Sequence, residues 1–243
     1  MRSRSRPNAN IKYPYIIFDL DGTLVDSENY YAKIFIDYVS TLGYDLPSDL
    51  WRRNPDYTYV EMSEIIFKKF PNLNSKFENY QQLADDWYQY YLDHPIDYSN
   101  LTFPDEIETL ELLKKEGYIL AVASGSKLED VNRALKSTGI IDLFSVIISA
   151  HQCGLPKPDP AVFLQTAEAL HADPAKCLVI EDSTIGITAA HQAGMKVFAR
   201  NDPHFDNDLS LADSCFDTYQ QLQQLLGLSR KGGENEPSGS INQ

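Results

Sequence analysis

Two aspartates spaced by one residue, Asp19 and Asp21, close the apolar run Tyr15-Ile16-Ile17-Phe18, and Gly22-Thr23 follow at once. Residues two apart on a strand project to the same side, so the two carboxylates lie close together and repel unless a cation is present. Three further strand-like runs end in groups suited to phosphate chemistry. Ile119–Ala123 leads into Ser124-Gly125-Ser126, where a hydroxyl and the backbone N–H groups of a helix start can bind a phosphate oxygen. The segment Gly154-Leu-Pro-Lys157-Pro-Asp-Pro160 sets a lysine between prolines, which restricts its backbone and suits a positioned charge. Cys177-Leu-Val-Ile180 ends in a second acidic pair, Glu181-Asp182, and Ser183.

Each signal has a plain reading when taken alone: Ser124 and Ser183 as helix caps, Lys157 as a solvated charge, Glu181 and Asp182 as surface acids. Together they are more informative, because the carboxyl ends of parallel strands open onto one crevice.

The elements that would bring them there are legible as an alternation. Strand-like runs at Tyr15–Phe18, Tyr118–Ala123, Phe144–Ser149, Cys177–Ile180 and Lys196–Ala199 are separated by helical patterns, which predicts an α/β fold with a doubly wound parallel sheet. The pattern Ser126-x-x-Glu129 reads as a capping box opening a helix with Leu128, Val131 and Leu135 on one face. Val162, Phe163, Thr166, Ala167 and Leu170 repeat at helical spacing, Thr184–Ala193 ends at Gly194, and a helix starts at Pro104-Asp105 and stops at Gly117.

The stretch 29–100 is different in kind. It holds 11 of the 15 tyrosines and both tryptophans, and its periods predict helices over 29–42, 58–70 and 76–92 with no strands. It therefore reads as an α-helical insertion between the first two strands. The expected organisation is a core of 14–28 and 101–228, a helical cap of 29–100, a flexible arm of 1–13 and a disordered tail of 229–243, whose Ser/Gly/Glu-rich composition does not favour a packed core. The Arg/Ser content of the first residues faintly resembles a transit peptide, but they lack the apolar segment of a secretory signal and read as an arm.

Composition narrows the partners. A formal charge of −14 repels nucleic acid and anionic membranes at long range. No stretch approaches the roughly 20 apolar residues of a membrane helix. Cys153, Cys177 and Cys215 have no metal or redox spacing and suit reduced thiols in a cytoplasmic protein, and no two histidines have zinc-ligand spacing. The expected partner is a small phosphorylated metabolite; the sequence is silent on oligomeric state.

The motifs Asp19-Leu-Asp21-Gly-Thr23, Ser124, Lys157 before Pro-Asp-Pro, and Glu181-Asp182-Ser-x-x-Gly186 resemble, in order and over about residues 14–225, the four motifs of the haloacid dehalogenase-like hydrolase superfamily. The insertion after the first motif resembles the helical cap of its branch of sugar-phosphate phosphatases and β-phosphoglucomutase. The resemblance implies a Rossmann-like core and phosphoryl transfer. Asp19 is then the nucleophile that becomes an aspartyl-phosphate, and Asp21 the general acid and base. Ser124 and the Gly125 N–H bind phosphate oxygens, and Lys157 offsets the charge between Asp19 and the phosphate. Asp19, the main-chain carbonyl of Asp21, and Asp182 hold Mg²⁺, with Glu181 holding a metal-bound water or ligating.

Within the resemblance, Asp21 argues against dehalogenase or phosphonate chemistry, in which no alkoxide is protonated in the same way. The principal expectation is a Mg²⁺-dependent phosphatase acting on a small organic phosphomonoester such as a sugar phosphate. The alternative is a mutase like β-phosphoglucomutase, which has a histidine twelve positions after its nucleophile and an asparagine after its Ser-x-Ser-Lys run. Tyr31 and Leu128 occupy those positions here. A non-catalytic phosphate-binding module is a remote third reading, since no catalytic carboxylate is missing. Arg52, Arg53 and Tyr31 are candidate substrate contacts from the insertion, whose aromatic content suits either a sugar-lined cleft or simply the core of a small helical lobe.

Overall fold

The computed structural model describes residue 8, residues 10–51, residue 53 and residues 57–228. Six strands, β1 (Tyr15–Phe18), β2 (Ile119–Ser124), β3 (Val146–Ser149), β4 (Cys177–Glu181), β5 (Lys196–Arg200) and β6 (Ser214–Phe216), form one sheet in the order β3-β2-β1-β4-β5-β6. Every pairing is parallel. The chain leaves the central strand β1 in one direction and returns to its other side at β4, so the order reverses beside the carboxyl end of β1, where crevices open in such sheets. The register carries the motif residues with it: Phe18 is level with Val122 on one side and Ile180 on the other.

The pleat divides β1 between two cores. Ile16 and Phe18 pack on one face with Val131, Leu135 and Leu222, whereas Ile17 packs on the other with Val162, Phe163 and Ile187. All three β1 side chains are fully buried, each worth about 1.5–3 kcal/mol relative to exposure. That burial anchors the strand whose end carries Asp19.

Helices α1 (Glu28–Thr41), α2 (Tyr59–Lys69) and α3 (Tyr80–Asp93) lie between β1 and β2, followed by α4 (Glu106–Glu116). Past β2 come α5 (Leu128–Ser137), α6 (Ala150–Cys153), α7 (Ala161–Leu170), α8 (Thr184–Gln192) and α9 (Tyr219–Leu225). Thr58 caps α2 in a reciprocal box with Glu61. The aromatic side chains of the insertion mostly face one another: Phe35 lies 5.6 Å from Trp51 and 5.9 Å from Trp87, and Tyr59 stacks on Trp87 at 5.0 Å. They belong to the same apolar cluster as Ile16 and Phe18. Phe35, Tyr38 and Val39 of α1 are buried, and Leu42 packs against the cluster.

Some expectations differ from what is observed. The Ser126 capping box does not form: α5 begins at Leu128 with Lys127 at its N-cap and no side-chain cap, because the Ser126 hydroxyl is drawn to Asp21 instead. The helix expected over 76–92 starts at Tyr80, after a 3₁₀ turn at Pro71–Ser75 and an Asn79 cap. β6 and α9 correspond to no strand or helix expected from the sequence. At the amino end, Asn8 donates from its backbone N–H to Gly117 O at 3.2 Å and Tyr13 packs against the core. Residues 1–7 and 9 of the expected arm, and the whole expected tail 229–243, lie outside the described residues. No helix among the described residues is long and apolar enough to cross a membrane. The three cysteines are free thiols.

Candidate active site

Asp19 and Asp21 reach the same cleft as Lys157 and Asp182, an opening at the carboxyl edge of the sheet. Gly22 makes the turn out of β1 at φ +74°. A side chain there would be strained and would also overlap the Asp182 carboxylate. Thr23, fully buried, donates from Oγ1 to Asp182 Oδ1 at 2.9 Å, and Tyr219 of α9 donates to Thr23 O at 2.7 Å. Arg200 Nη1 donates to Gly22 O at 2.8 Å. The turn after Asp19 is therefore held from three sides.

Lys157 is nearly inaccessible and donates to Asp19 Oδ1 at 2.5 Å and Glu181 Oε1 at 2.7 Å. Burial opposes its charge, but Asp19 and Glu181 outweigh burial and hold the ammonium above its ordinary value. Burial pushes the Asp19 carboxyl up to about 8, against the pull of Lys157 and with Glu181 and Asp21 adding to the rise. Burial likewise raises Asp182 well above the usual carboxylate range, with Glu181 and Asp19 contributing.

Oxygens of Asp19, Glu181 and Asp182 all lie within 4.8 Å of one another. Three buried carboxylates against one ammonium leave negative charge in excess, and an all-oxygen donor set fits a hard divalent cation. Mg²⁺ is compatible with these residues on that ground. Glu181, however, is already occupied. Oε1 accepts from Lys157, and Oε2 accepts from Asp182 N at 2.8 Å and from Ser183 N and Oγ at 2.9 Å each. Gly186 makes this possible, since a side chain at that position of α8 would overlap the Glu181 carboxylate.

Asp21 lies apart from this cluster. Its Oδ1 accepts from Ser27 Oγ and its Oδ2 from Ser126 Oγ, both at 2.6 Å. Ser126 is fixed in turn: its N–H donates to Ser124 Oγ at 3.0 Å, and its carbonyl accepts from Ser149 Oγ at 2.6 Å. Ser124 is fully buried at the end of β2, while Gly125 and Ser126 line the cleft.

Of the candidate substrate contacts from the insertion, the two within the described residues, Arg53 and Tyr31, are placed elsewhere. Arg53 is exposed and paired with Asp49 at 2.6 Å. Arg52 lies outside the described residues. The Tyr31 hydroxyl sits 3.4 Å from that of Tyr98, and burial pushes it well above its usual value. Neither Arg53 nor Tyr31 lines the cleft, whereas Tyr57, Thr58, Glu28, Phe205 and Asn207 do.

Glu28 and Asn207 carry the least sequence signal: Glu28 reads as an ordinary acid in the first turn of a helix, and Asn207 as a loop residue. Burial, with Asp21 adding, pushes Glu28 up to about 8, although Trp51 Nε1 donates to it at 3.3 Å. Ser27, six residues after Asp21, is near enough in sequence to be a candidate partner of that carboxylate, whereas nothing local links it to Ser126, 105 residues away.

Residues 16–200 match the haloacid dehalogenase-like hydrolase family, and the chain belongs to it. Hexitol phosphatase B of Escherichia coli (strain K12) is 28% identical over 235 residues, covering 87% of this chain and 96% of that protein. A phosphoglycolate phosphatase of Aquifex aeolicus (strain VF5) is 31% identical over 186 residues, covering 74% of this chain and 81% of that protein. Among solved structures, a predicted phosphoglycolate phosphatase from Haemophilus somnus 129PT superposes with a TM-score of 0.74 at 26% identity, covering 89% and 99% of the two chains. A β-phosphoglucomutase from Clostridium difficile superposes with a TM-score of 0.67, also at 26% identity, covering 88% and 97%.

Proposed function

We propose that this chain is a Mg²⁺-dependent phosphatase of a small organic phosphomonoester, working through an aspartyl-phosphate on Asp19. The observation that carries the reading is the meeting in one cleft of Asp19 and Asp21 from the end of β1, Lys157 from the loop after α6, and Asp182 from the end of β4. A carboxylate oxygen of Asp19 attacks phosphorus in line with the ester oxygen, the P–O ester bond breaks, and Asp21 gives its proton to the departing alkoxide. Asp21 then takes a proton from water, the hydroxide oxygen attacks phosphorus, and the P–O bond to Asp19 breaks to release orthophosphate and restore both carboxyl groups. Ser27 and Ser126 hold Asp21 in place through both steps.

Lys157 lies against the attacking carboxylate, and the Gly125 backbone together with Ser124 and Ser126 forms the phosphate cradle. Asp19, the Asp21 carbonyl and Asp182 are the residues that would hold Mg²⁺, which when bound neutralises phosphoryl oxygens. Glu181 serves this arrangement by fixing Lys157 and the loop that carries Asp182. The inserted lobe of residues 29–100 acts as a cap, a role supported by Tyr57 and Thr58 on the cleft wall. The free thiols fit a reducing, cytoplasmic setting. Placement of Tyr31 against Tyr98 favours hydrolysis over a mutase.

The test is orthophosphate release, with Mg²⁺, from a panel of sugar phosphates, polyol phosphates, nucleotides and phosphoglycolate. Release that depends on Mg²⁺ and is lost on chelation is expected. Conversion of β-glucose 1-phosphate to the 6-phosphate, with no phosphate released from any compound, would overturn the proposal.

A further inference from the structure

Resting on the reading in which the Asp21 carbonyl and Asp182 hold Mg²⁺, we propose that Arg200 is a positioning residue for that pair. Through the Gly22 carbonyl it holds the turn after Asp19, and it ties that turn to the segment by which the inserted lobe returns to the core. Arg200 ends β5, and its side chain is only 10% exposed. A guanidinium taken out of water is costly unless its donors and faces find partners. Here Nη1 donates to Gly22 O at 2.8 Å, Cζ lies 3.7 Å from the centre of the Phe103 ring, and Asp202 Oδ2 stands 3.5 Å from Nη1.

Gly22 is buried, and no backbone N–H among the described residues donates to its carbonyl. The guanidinium therefore satisfies a group that would otherwise be orphaned. On the other side of Gly22 lies the Asp21 carbonyl, and a methyl on Gly22 would overlap the Asp182 carboxylate, so the turn rests directly against that side chain. Thr23, next in the turn, donates to Asp182 Oδ1. A shift of this turn moves both groups that would hold the metal. Phe103 anchors the opposite face of the guanidinium. It follows Leu101 by two residues, and the Leu101 carbonyl accepts from Asp26 N at 2.8 Å where the segments leaving and re-entering the core meet. Asp202 also receives the His204 N–H at 2.9 Å, fixing the base of the loop that brings Phe205 and Asn207 to the cleft. Asn207 Oδ1, buried without a partner among the described residues, adds no anchor of its own.

The test is the dissociation constant of Mg²⁺, measured on the full chain by calorimetric titration at pH 8. Arg200→Met removes both donor and charge. Loss of a nearby positive charge alone would tighten Mg²⁺ binding or leave it unchanged, and a fraction of unfolded protein lowers the number of sites without altering the constant. Weakening of at least fivefold is expected; a smaller weakening, or any tightening, overturns the proposal. Arg200→Lys keeps a charged donor without the planar face and should weaken binding by less than half the factor found for methionine; half that factor or more overturns it. Phe103→Leu should weaken binding at least threefold in the wild type and less than twofold in Arg200→Met, because its effect passes through the guanidinium; any other pattern overturns the link to the return segment. Arg200→Gln, whose shorter side chain falls short of the Gly22 carbonyl, replaces methionine with the same expectation if that variant does not fold. A wild type that binds Mg²⁺, with the variants in this order, yet releases no phosphate from p-nitrophenyl phosphate refutes the phosphatase reading alone. A wild type that binds no Mg²⁺ refutes the metal reading and this proposal with it.

Discussion

Replacing Asp19 with asparagine should abolish turnover while making the metal-free protein less sensitive to alkaline pH. The amide keeps an oxygen that can accept from Lys157, whose second partner, Glu181, is untouched. What disappears is the carboxyl that burial raises from 3.8 to about 8. Because the folded state holds that proton longer than the unfolded chain does, wild-type stability is greatest near the unfolded value and falls as pH rises toward about 8.

Between about pH 5.5 and pH 8 the lost stability corresponds to about 2 pKa units, or about 3 kcal/mol at 1.36 kcal/mol per unit. For a chain of this length that is roughly 5–10 °C in melting temperature. Thermal melts of wild type and Asp19→Asn in a chelating buffer at the two pH values read the effect, and the variant's melting temperature should change less by that amount. Orthophosphate release should fall at least about a thousandfold in the variant. Mg²⁺ should raise the wild-type melting temperature more at pH 8 than at pH 5.5, since the ionised carboxylates are the ones a cation relieves. Parallel pH curves for the two proteins would refute the electrostatic reasoning, and retained turnover would refute the assignment of the nucleophile.

Gly22→Ala should cut Mg²⁺-dependent turnover by at least about tenfold and lower the melting temperature, because the new methyl meets Asp182 in a backbone conformation that L side chains avoid; steady-state kinetics across a Mg²⁺ titration check this. Ser126→Ala removes one of the two hydroxyls on Asp21 and should lower kcat roughly tenfold or more with little change in melting temperature. Glu106→Gln tests pH dependence away from the cleft. Glu106 is fully buried with Oε2 accepting from Phe103 N at 2.9 Å, and burial raises it to about 8. Stability from this group is therefore lost as pH rises from about 4.5 to 8, and the glutamine variant should outlast wild type in melts at pH 8 by a few kcal/mol while matching it near pH 5.

The strands were readable because each is a short apolar run flanked by turn residues, and the carboxylates at the ends of β1 and β4 followed directly. β6 and α9 were harder: Ser214–Phe216 has three residues, only one of them buried, too few for an alternation to show. The insertion announced its helices by periodicity, yet its aromatic content said nothing about direction, and only Tyr57 among its tyrosines lines the cleft. Ser126 illustrates a different limit. Its spacing to Glu129 satisfies a local capping rule, but a carboxylate 105 residues away competes for the same hydroxyl, and that competition exists only once β1 and β2 lie side by side. Asn207 and Glu28 depend likewise on the folded surroundings, because neither burial nor an unpaired acceptor is a property of a residue type.

Glu181 has a consequence for where a ligand can bind. Two helices, α5 and α8, start at the cleft, and the positive end of each could attract an anion. At α8 the chain's own carboxylate has taken the place, with Glu181 receiving the N–H groups of Asp182 and Ser183 and lying where Gly186 has no side chain. That end is filled from within. At α5 the approach runs through Gly125 and Ser126, where Asp21 takes the Ser126 hydroxyl rather than the backbone N–H groups. Of the two helix starts at the cleft, one is thus already occupied by Glu181, which directs an incoming phosphate toward the other.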